Sequence, residues 1–300
     1  MGTGACAMKP APFTYHDPRS VSDLVALLGK HENAKLLAGG QSLGPMLNFR
    51  YVVPDHLIDL NRIPELAYIR PGSGTLEIGA MTRQRALERS VEVKRACPVL
   101  AEALGFVGHF QTRNRGTLGG SLCHLDPAAE LPGVCALHDA TLTVTGPKGV
   151  RQVAMADWGV AFMTPNLAQE EVLTSIILQL WRDPHGHAFV EMARRHGDFA
   201  IAGVGCLVAL DPAGKAKRIA LALVGVTQAP VRLAAAEKLL TGTDLSDDAL
   251  RAAAAEIDKL EALDDAHVSA AYRKRLAGVL LGRAVKQAAA RARGAAEETA

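Results

Sequence analysis

Thr117-Leu118-Gly119-Gly120-Ser121 runs into His124-Leu125-Asp126-Pro127-Ala128-Ala129-Glu130-Leu131-Pro132, and about eighty residues earlier stands a second glycine pair, Ala38-Gly39-Gly40-Gln41-Ser42-Leu43. The earlier pair follows the apolar run Ala34-Lys35-Leu36-Leu37, as a loop follows a strand. Adjacent glycines let backbone N–H groups approach a diphosphate that a Cβ would hold away. Either pair alone reads as a tight turn; two of them suggest opposite walls of one ligand site. Neither is a G-x-G-x-x-G fingerprint, and no G-x-x-x-x-G-K-[ST] loop is present, so neither a nicotinamide-type Rossmann domain nor a nucleoside triphosphate site is indicated.

Outward from these loops, Ser20 and Asp23 read as a capping pair for a short helix over Val21–Leu28, and Lys35–Leu37 as a strand. Pro54 opens the extended segment Leu57-Ile58-Asp59-Leu60. Residues from about 10 to 65 therefore form a small α/β module. A strand over Thr75–Gly79, helices near Arg83–Ser90 and Pro98–Val107, and a hairpin of Ala140–Thr145 with Val150–Val153 build a second module ending near residue 180. Beyond the turn-rich Asp183-Pro184-His185-Gly186-His187, strands are expected at His187–Ala193, Ile201–Leu210 and Arg218–Val226. The alanine-rich stretches Leu233–Leu240, Asp247–Leu260 and Ala271–Ala290 read as helices on one face of that antiparallel sheet.

With 300 residues, 49% of them hydrophobic, and a formal net charge of +2, the chain has room for two or three cores and no basic field for nucleic acid or membrane. The N-terminal residues lack a basic leader with an apolar core, and no integral membrane segment is expected, which predicts a cytoplasmic protein. The five cysteines, Cys6, Cys97, Cys123, Cys135 and Cys206, show no C-x-x-C spacing; neither a disulfide framework nor an iron–sulfur cluster follows from them. Ten histidines show no H-x-x-x-H or H-E-x-x-H spacing, so no metal ligand is assigned; His56, His138 and His267 read as surface or packing residues. His185 and His187 fall in a linker.

These motifs, together with Phe13 to Leu28, Arg50, Pro54, Leu57-Ile58-Asp59, Ile78-Gly79-Ala80, Arg113-Asn114, Arg194-Arg195-His196-Gly197-Asp198-Phe199-Ala200 and Tyr272-Arg273, make the chain resemble the FAD-binding medium subunit of the molybdenum hydroxylases, the group of carbon monoxide dehydrogenase and xanthine dehydrogenase. The resemblance spans nearly the whole length. It implies an α+β protein: a two-subdomain FAD-binding fold of the PCMH type (1–65 and 66–182), then a C-terminal domain (183–290) with a three-stranded antiparallel sheet packed with helices, then a frayed tail (291–300).

The resemblance also implies which residues meet FAD. Ala38, Gly39, Gly40, Gln41, Ser42 and Leu43 would surround the diphosphate, with backbone amides as donors. Thr117, Gly119, Gly120 and Ser121 would form the other wall, Ser121 standing where relatives often carry Asn. Glu130, where relatives carry Asp, would accept from a cofactor hydroxyl. His124 is a contact candidate beside Asp126, which ranks lower because it can close a turn, and the main chain of Leu173 would meet the flavin ring. Val190 and Glu191 occupy the neighbourhood where several relatives place a lysine. Arg194, Arg195 and Asp198 fit an ion pair as readily as a role at the ring. No catalytic residue is nominated.

By the same resemblance, molybdopterin and [2Fe–2S] clusters belong to a large and a small partner subunit, in a dimer of heterotrimers, and this chain passes electrons through FAD to a terminal acceptor. Two other readings are open: a standalone FAD-dependent oxidase acting on a small substrate, and a non-catalytic assembly scaffold.

Overall fold

Thr75–Gly79, whose alternation reads as a strand, sits second in a five-stranded antiparallel sheet of order Ile69–Pro71, Thr75–Gly79, Val172–Gln179, Thr141–Gly146, Gly149–Ala154. The computed structural model describes residues 8–297. Leu76, Ile78, Leu142, Val144, Ile176 and Leu178 send one face of the sheet into the largest core. That face is covered by Gln84–Arg89, Val91–Ala96, Pro98–Leu104, Leu118–His124 and Glu130–Leu137.

The N-terminal module is a three-stranded parallel sheet with His56–Asp59 between Thr14–His16 and Ala34–Leu37. The crossover between the outer strands is the helix Val21–Lys30, which Ser20 caps by accepting from the Asp23 N–H at 3.1 Å. Leu24 and Leu28 of this helix pack on Ile58, Leu60, Ile63 and Leu66 in a separate small core.

The C-terminal sheet departs from expectation in its strand count. It has four antiparallel strands, not three: Gly186–Met192, Ala202–Leu210 and Ala216–Val224 are joined by a two-residue strand, Val231–Arg232, paired with Ala222 and Leu223. So short a run after Pro230 carries no alternation to read. The alanine-rich helices do lie on one face, as expected. The helices Ala234–Leu240, Asp247–Ala254 and Ala270–Glu297 cover one side, while Phe189, Leu207, Ala220 and Ala222 on the other join the core of the second module. Burial of both faces explains why Ala202–Ala209 is buried residue after residue.

The last helix also continues through much of the stretch expected to fray. Arg291 donates to Glu102 at 2.8 Å and to the His187 carbonyl at 2.7 Å, and Ala292 is buried, so tertiary contacts hold it where propensity and pattern give no apolar face. Helix is described as far as Glu297; residues 298–300 of the expected tail, and Cys6, lie outside the described residues.

Candidate functional site

The two glycine segments meet. A Cβ on Gly39 would collide with the carbonyl of Arg115 and with Gly116, and one on Gly120 would stand 3.5 Å from the Ala38 Cβ. Gly119 is pressed against Ala80, where an added Cβ would lie 2.6 Å from the Ala80 side chain and 2.7 Å from its carbonyl oxygen. Close backbone approach, not turn geometry alone, therefore requires Gly39 and Gly119; Gly40 adds a left-handed φ of 72°.

The walls differ in what they can offer a ligand. In the first, Gly39, Gly40, Gln41 and Ser42 lead into the helix Leu43–Asn48, and among the described residues their backbone N–H groups have no acceptor within the chain. Four successive free donors form an anion-binding concavity. The Gln41 side chain folds back to donate to the Gly39 carbonyl at 3.1 Å, and Ser42, at the helix N-cap, makes no capping bond, which leaves its hydroxyl available.

In the second wall the amides are spent. Gly119 N–H donates to Ala80 O at 2.8 Å, Gly120 N–H to Thr117 Oγ1 at 3.0 Å, and Ser121 N–H to Thr117 O at 3.2 Å. The segment read as a loop is the first turn of the helix Leu118–His124, capped by Thr117. Trp158, fully buried, locks that helix by donating from Nε1 to the Leu122 carbonyl at 2.8 Å. The hydroxyl of Ser121, and the Thr117 hydroxyl as a donor, are what this wall has left.

Two residues that sequence reasoning missed bind the walls together. Asn61 donates from Nδ2 to the Ala38 carbonyl at 3.0 Å and accepts from the Arg83 guanidinium, which also donates to the Arg115 carbonyl. Arg83 further forms an isolated β-bridge with Thr117. Each is a single polar residue in a segment without a motif, and no local signal marked it.

His124 is the last residue of its helix and half-buried; burial lowers its pKa against the opposing pull of Asp126. The imidazole is thereby biased to the neutral form. Asp126 serves the turn, its Oδ1 accepting from Ala128 N–H at 2.8 Å. Glu130 opens the helix Glu130–Leu137 with 8% of its surface exposed. Burial pushes its carboxyl up to about 7, helped by Asp126 and opposed by its own backbone N–H and Arg113. Glu191 is pushed up to about 8 by burial and then by Glu130, and its Oε2 has no hydrogen-bond partner. An acid that feels the charge of Glu130 thus stands where relatives were expected to carry a lysine.

Leu173 has its side chain in the main core and stands beside the bulge at Thr174, whose carbonyl accepts from Ala80 N–H at 2.9 Å. Its neighbour Thr174 is thereby tied to Ala80, whose carbonyl in turn accepts from Gly119 N–H. Arg113 is a structural residue, paired with Glu88 at 3.2 Å and donating to the carbonyls of Val107 and Gly108. Arg194 and Asp198 form an exposed pair at 4.0 Å, and Arg273 is tied to the carbonyls of Ile201 and Gly225.

The chemistry of the first wall fits a diphosphate: free amide donors and no acidic side chain in Gly39–Ser42. The second wall supplies hydroxyls and, beyond its helix, an acid protonated near neutrality. Residues 11–181 match the family model described as the FAD binding domain in molybdopterin dehydrogenase, and residues 187–288 the CO dehydrogenase flavoprotein C-terminal domain. The chain is 38% identical to 6-hydroxypseudooxynicotine dehydrogenase complex subunit alpha of Paenarthrobacter nicotinovorans, over 95% of this chain and 97% of the relative. It is likewise 38% identical to the carbon monoxide dehydrogenase medium chain of Hydrogenophaga pseudoflava, over 95% and 99%. Among solved structures, a chain of the Hydrogenophaga pseudoflava carbon monoxide dehydrogenase superposes with a TM-score of 0.91 at 38% identity, covering 94% of this chain and 99% of that one. One of quinoline 2-oxidoreductase from Pseudomonas putida 86 superposes at 0.90 with 32% identity, covering 95% and 99%. The chain belongs to the family of FAD-binding medium subunits of the molybdenum hydroxylases.

Proposed function

We propose that this chain is the electron-transfer subunit of a molybdenum-containing hydroxylase, taking electrons from [2Fe–2S] clusters on a small subunit and delivering them through FAD to a terminal acceptor. The observation that carries the reading is the meeting of the two glycine segments, one with four unengaged amides. Gly39 to Ser42 would donate to the diphosphate, with Ala38 and Leu43 flanking them. Thr117 and Ser121 would donate hydroxyl protons from the opposite wall, where Gly119 and Gly120 permit the approach. Glu130 and His124 would meet cofactor hydroxyls, and the Leu173 main chain the ring. When bound, FAD supplies an interchange between one-electron and two-electron transfer.

The residues of this chain hold, orient and shield; no side chain is assigned an acid–base step. In this reading the fold is of the PCMH type, with subdomains dividing near residues 65 and 182. The large molybdopterin subunit and the small [2Fe–2S] subunit complete a heterotrimer that dimerises. The described cysteines are unpaired, which suits a reducing compartment, and we place the assembly in the cytoplasm.

The test is rapid-mixing spectroscopy on the full chain loaded with FAD. Reduced small subunit should bleach the flavin band, and small oxidisable substrates added without partners should leave it unchanged. Turnover of such a substrate by the chain alone would instead establish the standalone oxidase.

A further inference from the structure

Three histidines scattered in the sequence converge on the N-terminal module. His16 ends the strand Thr14–His16, His56 begins the strand His56–Asp59, and His31 terminates the helix Val21–Lys30. Parallel register pairs Thr14 with His56 and His16 with Ile58, so both strand histidines share the face on which Ile58 meets Leu24 and Leu28 of the helix. His31 reaches the same face from the helix end, where its N–H is fixed on the Leu27 carbonyl at 3.1 Å.

The rings are close enough to share one ligand. His16 Nε2 and His56 Nδ1 are 3.0 Å apart, and the ring centroids of His31 and His56 are 3.8 Å apart. One nitrogen from each of the three lies within 4.8 Å of the others. All three side chains are partly buried, which limits the freedom a ligand would have to remove.

We propose that His16, His31 and His56 bind one zinc-class divalent cation, with a fourth position open to water. Three imidazoles and no carboxylate select the zinc, copper and nickel class over magnesium or calcium. Zinc–nitrogen bonds of roughly 2.0–2.1 Å in a tetrahedron put ligand nitrogens about 3.4 Å apart, so His16 and His56 would part by a few tenths of an ångström and the His31 ring, stacked on His56, would turn its nitrogen toward them. The ion would clip two strands of the parallel sheet to the crossover helix. Sequence reading assigned no ligand here because the three residues stand on separate elements and share no local spacing.

The test is calorimetric titration of the metal-stripped full chain with Zn²⁺, comparing wild type with His31→Gln, His56→Gln and, as a control outside the cluster, His267→Gln. Wild type and the control should bind one equivalent. Each cluster variant should weaken binding by at least the roughly 10–100-fold that loss of a mere outer-shell partner costs. Far-UV circular dichroism confirms that the variants are folded, and His31→Gln, at a helix end, tests the site without altering a strand. Absence of saturable binding in wild type, or equal affinity in folded cluster variants, would overturn the site and leave three stacked imidazoles as packing.

Discussion

Asn61 donates to the Ala38 carbonyl at 3.0 Å while its side-chain oxygen accepts from Arg83, which in turn donates to the Arg115 carbonyl beside Gly116. This four-residue tie fixes the spacing of the two glycine walls. Asn61→Ala should therefore weaken FAD retention on the order of tenfold, equivalent to about 1.4 kcal/mol for one lost hydrogen-bonding partner. Arg83→Ala should weaken it more, because it frees two acceptors. Equilibrium flavin titration reads both, and unchanged affinity in both variants would remove the tie from the account.

Glu130 and Glu191 set a pH dependence whose sign is fixed by the direction of their shifts. Both carboxyls are raised in the folded chain, to about 7 and about 8, so the folded state holds protons that the unfolded state has released. The stabilisation is fully present below the ordinary carboxylate pKa and is lost as pH rises through about 7 to 8. His138, buried and lowered to about 4, works oppositely, losing stability as pH falls from the ordinary histidine value toward 4. Glu191→Gln should raise stability on the order of 2 kcal/mol at pH 8.5 and change it little at pH 5. Denaturant melts at the two pH values check this; an equal effect at both would mean that Glu191 is not held protonated.

Thr117 is buried, with 1% of its surface exposed, and its hydroxyl caps the helix that forms the second wall. Thr117→Ala should cost about 1 kcal/mol from the cap alone, and Thr117→Ser should restore most of it. If the same hydroxyl also donates to the cofactor, the alanine variant should lose more stability with FAD present than without. Thermal melts of apo and FAD-loaded protein separate the two roles.

The described thiols should be inert. Burial pushes Cys97 and Cys123 up to about 12 and raises Cys135 and Cys206 as well. In a Cys6→Ser background at pH 8, a thiol reagent should label native protein far more slowly than urea-unfolded protein. Fast labelling of one equivalent would reveal a reactive thiol that this packing does not contain.

The strand Thr75–Gly79 was legible to the residue because alternation and flanking glycines mark it. The helix Leu118–His124 was not, because Gly119 and Gly120 oppose helix by propensity, and the Thr117 cap and Trp158 override them. Glu130–Leu137 escaped for another reason: it holds Pro132 and Gly133, and all eight of its residues are buried, so no amphipathic period exists to see. At the site, the glycines could be read because close approach tolerates little else. Asn61 and Arg83 could not, since their role depends on where the chain brings distant carbonyls. Nor could the sequence show that the amides of the second wall are engaged, by Ala80 and by Thr117, while those of the first stay free.

The most direct test of the central claim is equilibrium titration of the cofactor-free full chain with FAD and, separately, with FMN, which lacks the diphosphate bridge. A site built on the free amides of Gly39 to Ser42 predicts one equivalent of FAD bound, FMN weaker by on the order of 100-fold, and loss of the FAD preference in Gly40→Val. Equal affinity for the two flavins, or no FAD binding by folded wild type, would contradict it.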